Sequence, residues 1–285
     1  MVPPPRLTAL LTLLALVAFA ANSLLCRAAL AGGLIGPSAF TIVRLVSGAV
    51  VLAALVRVPA IAARPGAATW TSAAALLAYA LCFSFAYVSL STGTGALLLF
   101  AAVQATMIGV GFARGERFRG PQLAGLFLAA AGLVGLLLPG VTAPSATGAA
   151  LMLAAGVAWG IYSLRGRAGG DPTRTTAGNF WRAAALVAPL AAVLVLREQT
   201  TTIQASGVMY AMASGAIASA VGYVIWYTAL PALRATVAAT VQLSVPALAA
   251  IGGVAVLGEP LTWRLVLASG AILGGILLVS VSRAR

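Results

Sequence analysis

Long apolar runs separated by short, turn-rich breaks dominate the chain. Ten of them are long enough to be helices that cross a hydrocarbon core, which takes about 20 residues each. They fall near 7–30, 37–57, 67–90, 92–112, 121–138, 148–164, 174–196, 206–229, 232–257 and 261–281. Glycine and proline mark the breaks: Gly32-Gly33 with Pro37, Pro59, Pro65-Gly66, Arg114-Gly115, Pro139-Gly140 with Pro144, Gly169-Gly170-Asp171-Pro172, Pro231, and Gly258-Glu259-Pro260. Only Ser91-Thr92-Gly93 parts the third and fourth runs. The short alternating segments of a membrane β-barrel are absent, so the pattern predicts an all-α bundle.

Composition agrees. Of 285 residues, 62% are hydrophobic and 7% charged, against about 25% charged in a soluble domain. The two cysteines, Cys26 and Cys82, lie inside apolar runs and imply no disulfide framework. All 17 basic residues are arginine, there is no histidine, and the only acids are Glu116, Asp171, Glu198 and Glu259. The net charge of +13 reads as an orientation signal rather than a nucleic-acid surface. With the N-terminus inside, twelve loop arginines face the cytoplasm and only Arg197 and Arg264 face out, so both termini are expected in the cytoplasm. A cleavable signal peptide ending at Ala18-Phe19-Ala20 is the rival for the first run, but the apolar stretch continues to Leu30.

The chain also repeats itself. Ala21-Asn22-Ser23-Leu24-Leu25-Cys26-Arg27 aligns with Trp159-Gly160-Ile161-Tyr162-Ser163-Leu164-Arg165, and Phe40-Thr41-Ile42-Val43-Arg44 with Gly178-Asn179-Phe180-Trp181-Arg182, both at an offset of 138. Tyr87/Leu90 with Tyr227/Leu230, Gly115-Glu116 with Gly258-Glu259, and Gly132 with Gly275 follow in order, at offsets that drift only to 143. The expected organisation is a first five-helix repeat over 1–138, a linker over 139–147 and a second repeat over 148–285. Five is odd, so the halves enter the membrane from opposite sides. Such an inverted repeat lets a central cavity open to one side and then the other.

On Arg44 and Arg182 in the second helix of each half, Trp159-Gly160 in the sixth, and the two Gly-Glu pairs, the chain resembles the EamA-type drug/metabolite transporters. That resemblance implies ten helices in two five-helix repeats around a cavity. Within the family it looks most like the YddG-type exporters of aromatic amino acids. Two positions depart from symmetry: Ala21-Asn22 stands opposite Trp159-Gly160, and Ala102-Val103-Gln104 stands where the ninth helix has Pro246.

Polar groups at membrane depth are expensive and face a cavity or a partner helix. Near the midplane lie Asn22, Ser23, Ser84, Gln104, Gln242 and Ser244. Interhelical hydrogen bonding explains the hydroxyls well; for the three amides, contact with a zwitterion is the equal alternative. Tyr79, Phe83 and Tyr87 form one stripe on the third helix, which with Trp159 either packs or lines a cavity. Trp70, Trp263, Tyr210, Trp226 and Tyr227 read as interfacial anchors. Arg27 is placed to snorkel outward. Arg44 and Arg182 lie deeper, with helix-end carbonyls, Glu259 or Glu116 as expected partners and a substrate carboxylate as the sharper alternative.

Each Glu of the Gly-Glu pairs is expected to cap the helix that follows, with Pro260 in its first turn. Gly156-x-x-x-Gly160, Gly111-x-x-x-Gly115 and Gly270-x-x-x-Gly274 predict close helix packing. Pro189 and Pro246 fall inside spans and can bend them, Pro246 as a gate or as a static kink.

These features lead to an inner-membrane exporter of small amphipathic metabolites, most simply aromatic and other neutral amino acids, working as a monomer in the bilayer without a cofactor, a metal or nucleic acid. Its cavity is expected to be lined by Asn22, Tyr79, Phe83, Gln104, Trp159, Gln242 and Ser244, with Arg44, Arg182, Glu116, Glu259 and Pro246 structural or gating. A broad-specificity efflux carrier with ion or exchange coupling is the alternative, ahead of a channel. No acid lies within a span, which argues against a proton relay. The chain also lacks His, Lys and paired intramembrane acids, which argues against an intramembrane enzyme.

Overall fold

In the computed structural model the described residues are 3–58, 65–115, 120–166, 171–197, 203–233 and 235–282. Among them every regular element is helical: α1 Pro5–Ala31, α2 Pro37–Leu55, α3 Trp70–Tyr87, α4 Thr92–Ala113, α5 Gly120–Leu137, α6 Ala146–Arg165 and α7 Pro172–Arg197. The eighth span is α8 Ala205–Met212, a π-helical stretch Ala213–Val221 and α9 Gly222–Ala229. The ninth is split into α10 Ala235–Gln242 and α11 Ser244–Leu257, and α12 Trp263–Ser282 is the tenth. Eight of these segments are long and apolar enough to cross a membrane. The third and fourth spans do separate, with Ser91 preceding the first residue of α4.

Large apolar side chains point outward, among them Leu13, Phe127, Val256 and Trp263. The interior holds Asn22, Thr41, Arg44, Ser84 and Gln104 among apolar residues such as Phe40 and Leu97. That polarity is what a lipid solvent demands: nothing is lost by exposing leucine, whereas an unpaired polar group in hydrocarbon is costly.

The two halves share one core. α2 packs on α7 and α5 on α12, and each of these pairs is its own counterpart when the halves are exchanged. α3 on α6 is mirrored by the eighth span on α1, α4 on α6 by α11 on α1, and α3 on α7 by the π stretch on α2. The principal contacts thus map onto themselves when the halves are exchanged.

Small residues set the close approaches. A Cβ on Gly156 would meet the Leu99 carbonyl at 2.5 Å, and one on Gly160 would meet Thr106 at 2.8 Å. Gly215 lies against the Arg44 carbonyl, where a Cβ would stand at 2.1 Å. The Gly270/Gly274 pair does not do this, since neither has an atom within 4 Å of an added Cβ. The α5–α12 contact uses Gly125 and Gly275 instead, each against the other's carbonyl. Gly270 and Gly274 face a shallow groove beside Leu243.

One further expectation changes, and another is refined. Pro260 is not in a first helical turn, because α12 starts at Trp263. Pro246 sits in the first turn of α11, just after a break at Leu243, where the missing N–H has no helical partner to lose. The π stretch had no clear sequence signal; it spans ASGAIASAV, whose small side chains tolerate the wider turn. Glu116 lies outside the described residues.

Candidate functional site

A cavity of about 360 Å³ lies among α1, α3, α4, α6, the eighth span and α10. That is within the usual range for a small-molecule site. Its wall is aromatic, with Tyr79, Phe83, Trp159, Tyr223 and Trp226. The polar part comes from Asn22, Ser23, Gln104 and Gln242. Trp159 stacks tilted on Tyr79 at 4.8 Å and on Tyr223 at 5.1 Å between ring centroids.

Helix geometry explains how these side chains converge. Tyr79 and Phe83 share one face of α3 by their four-residue spacing. Tyr223, Trp226 and Tyr227 are spaced three and four apart on α9 and turn the same way. The break after Gln242 ends α10 at the wall.

The cavity has a direction. Its lining reaches Gly166 after α6, Pro172 at the start of α7, and Pro231 and Leu233 after α9. These are helix ends on one side of the bundle. On the opposite side Arg27, near the end of α1, forms an ion pair with Glu259, Nε to Oε1, at 3.0 Å. Arg27 Nη1 also donates to the carbonyls of Tyr87 and Val88 at 3.0 Å. The other Glu259 oxygen accepts from the Thr92 amide at 2.8 Å, at the first turn of α4. The chain can present Glu259 this way because Gly258 adopts φ +65°, the left-handed region that favours glycine. One carboxylate thereby joins α1, α4 and the end of α11. Glu259 caps α4 rather than the helix that follows it, and it pairs with Arg27 rather than Arg44 or Arg182.

Those two deeper arginines have separate fates. Arg44 is buried, donates from Nη2 to the Tyr79 hydroxyl at 3.0 Å and to Ser219 Oγ at 3.4 Å, and lies over the rings of Tyr79 and Phe83 at 5.1 and 5.0 Å. Its Nη1 has no hydrogen-bond partner among the described residues. Arg182 is half-buried, donates to its own helix at Gly178 O and covers Trp70 at 5.6 Å. Arg165, the repeat counterpart of Arg27, reaches Ser72 Oγ and Thr69 Oγ1 at the start of α3.

Six of the seven residues expected to surround the cavity do so: Asn22, Tyr79, Phe83, Gln104, Trp159 and Gln242. Ser244 does not; it is exposed, bonds back to Val241 O and faces the groove with Gly270. Two positions on from Gln242, it would not share that residue's face even on an unbroken helix, and it starts a new one after Leu243. Asn22 is also committed within the protein, donating to the Tyr79 hydroxyl at 3.2 Å and accepting from Ser214 Oγ at 2.6 Å. Trp226 and Tyr227 line the cavity instead of anchoring an interface, whereas Trp70, Trp263 and Tyr210 are exposed as anchors would be. Tyr223 and Phe19 were not singled out from sequence; the spacing of Tyr223 with Trp226 and Tyr227 was the signal available. No group of three or more metal-ligating side chains occurs among the described residues.

Known proteins agree with this architecture. Residues 146–281, the second half, match the EamA-like transporter family. The chain is 52% identical over 98% of its length to the uncharacterized protein PA1977 of Pseudomonas aeruginosa, covering 96% of that protein. It is 32% identical to the threonine/homoserine exporter RhtA of Escherichia coli, over 66% of this chain and 67% of that one. A solved crystal structure superposes on 94% of the chain and 96% of its own length with a TM-score of 0.63 at 20% identity, a likeness of fold. The chain belongs to the EamA-like transporter family and is a multi-pass membrane protein.

Proposed function

We propose that this protein exports neutral amino acids across a bacterial inner membrane by alternating access, moving them down their gradient. The observation that carries the reading is the one-ended cavity: aromatic and amide-lined, open beside Gly166 and Pro231, and sealed opposite by Arg27–Glu259. With the arginine-rich loops inside, the open end faces the cytoplasm, the side from which an exporter loads. Flat aromatic walls suit apolar or aromatic side chains, and amides suit an ammonium and a carboxylate together. The name of the relative RhtA, an exporter of threonine and homoserine, supports amino acids as the class. The YddG-like branch would add aromatic ones, and the ring-rich wall fits both.

The cavity lining contains no Asp, Glu or His among the described residues, so it offers no proton carrier, and no nucleotide motif supplies ATP. Purified protein in liposomes, loaded with unlabelled threonine, homoserine, phenylalanine or tryptophan and diluted into trace label, tests this. Counterflow that saturates and persists without a pH gradient is the expected result. Flux that disappears when only the pH gradient is removed would move the reading to ion-coupled efflux, and flux that never saturates would make the protein a channel.

A further inference from the structure

The hydrogen bonds around Tyr79, a residue of the cavity wall, leave one group unused. A phenol oxygen accepts two hydrogen bonds and donates one. Tyr79 Oη accepts from Arg44 Nη2 at 3.0 Å and from Asn22 Nδ2 at 3.2 Å. Arg44 can only donate, so that bond fixes the direction. Both acceptor places are therefore filled, and the Tyr79 proton has no acceptor among the described residues. Asn22 offers none, because it turns its Nδ2 donor to Tyr79 and its Oδ1 to Ser214.

The surroundings are also short of negative charge. Arg44 is 2% exposed, and among the described residues one of its terminal nitrogens is unpartnered and no carboxylate pairs with it. A buried cation held only by hydroxyls and ring faces strengthens whatever anionic contact its neighbours can make. The Tyr79 ring forms part of the cavity wall.

We infer that the Tyr79 hydroxyl, polarised by Arg44 behind it and held by Asn22, donates to the carboxylate of the transported molecule and selects carboxylate-bearing substrates over their neutral or cationic analogues. This rests on the export reading above and names the group by which the cavity recognises its cargo. Arg44 and Asn22 are positioning residues, and Tyr79 is the contact. The same charge discourages amines that lack a carboxylate.

The test compares phenylalanine and threonine with their carboxamides, by competition against labelled substrate in the reconstituted protein, for wild type and Tyr79→Phe. Phenylalanine at this position keeps the ring packed against Phe83 and Trp159 and removes the hydroxyl, both the donor and the acceptor that Arg44 and Asn22 use. The wild type is expected to prefer each acid over its amide by about tenfold or more, consistent with a charge-assisted bond. In Tyr79→Phe that ratio should fall toward one through weaker binding of the acid. The ratio is internal to one preparation, so a change in folded yield does not alter it. A Tyr79→Phe ratio equal to wild type, or an equal loss for acid and amide, overturns the inference while leaving export standing. A wild type that takes neither acid overturns the export reading and this inference with it.

Discussion

Gln104 and Gln242 bring two amides to the cavity from α4 and from the broken end of α10. Neither makes a hydrogen bond within the protein among the described residues, unlike Asn22, whose donor and acceptor both have partners. Of the three amides they are therefore the ones free to meet cargo. Gln104→Leu and Gln242→Leu should each raise the half-saturating concentration for amino-acid counterflow by about two- to tenfold, the worth of one net hydrogen bond, with purified yield and melting temperature unchanged. Substrate titrations of both variants check this, and wild-type curves would return these residues to packing. Trp159 is a poorer probe, because it touches Tyr79, Tyr162 and Tyr223 and its truncation would disturb all three. Sequence singled out Asn22 as an intramembrane amide but could not supply Ser214 as its partner. That bond joins residues 192 positions apart, and periodicity carries no information about which face meets which.

The helices themselves were far more legible than the contacts between them. Membrane thickness fixes span length, and glycine and proline fix the breaks, so all ten spans fall within a few residues of their expected ends. Pro246 signalled the interrupted ninth span. The π stretch left no local signal, and within it Gly215 brings the eighth span against the Arg44 carbonyl, a contact no local pattern announces. Small-residue motifs show the same limit. Gly270-x-x-x-Gly274 and Gly156-x-x-x-Gly160 look equivalent in sequence, yet only the second meets a neighbour. The contrast is measurable on α12. Gly275→Ala would force a methyl to 2.4 Å from the Gly125 carbonyl and should lower the melting temperature by several degrees. Gly270→Ala meets open space and should leave it unchanged or raise it, because alanine is the better helix former by about 1 kcal/mol. Equal melting temperatures for the two variants would mean that α5 and α12 are not in close contact.

At the scale of the molecule, the Gly-Glu pair becomes part of a closure. Glu259 takes Arg27 on one oxygen and the α4 amide of Thr92 on the other, at the end opposite the cavity mouth. A carboxylate at a helix N-terminus adds about 0.3–1 kcal/mol, more when partly buried. The pair is largely withdrawn from water, with side chains 21% and 12% exposed, so it is screened less than a surface pair. If opening this end completes transport, the bonds must break on each cycle, and weakening them should favour the open form. Glu259→Gln removes the charge and leaves a single acceptor for two donors. Thr92, fully buried beside it, reports the change. A cysteine replacing Thr92 should be alkylated from outside by a membrane-impermeant maleimide about tenfold faster in Glu259→Gln than with Glu259 intact, the factor expected from about 1.4 kcal/mol. The labelling of Cys26 and Cys82 alone, subtracted from both, is small at Cys26 because that thiol is buried. Equal rates would show that the ion pair braces the fold without holding this end shut, and the seal would then have to come from the packing of Tyr87 and Leu90 below it.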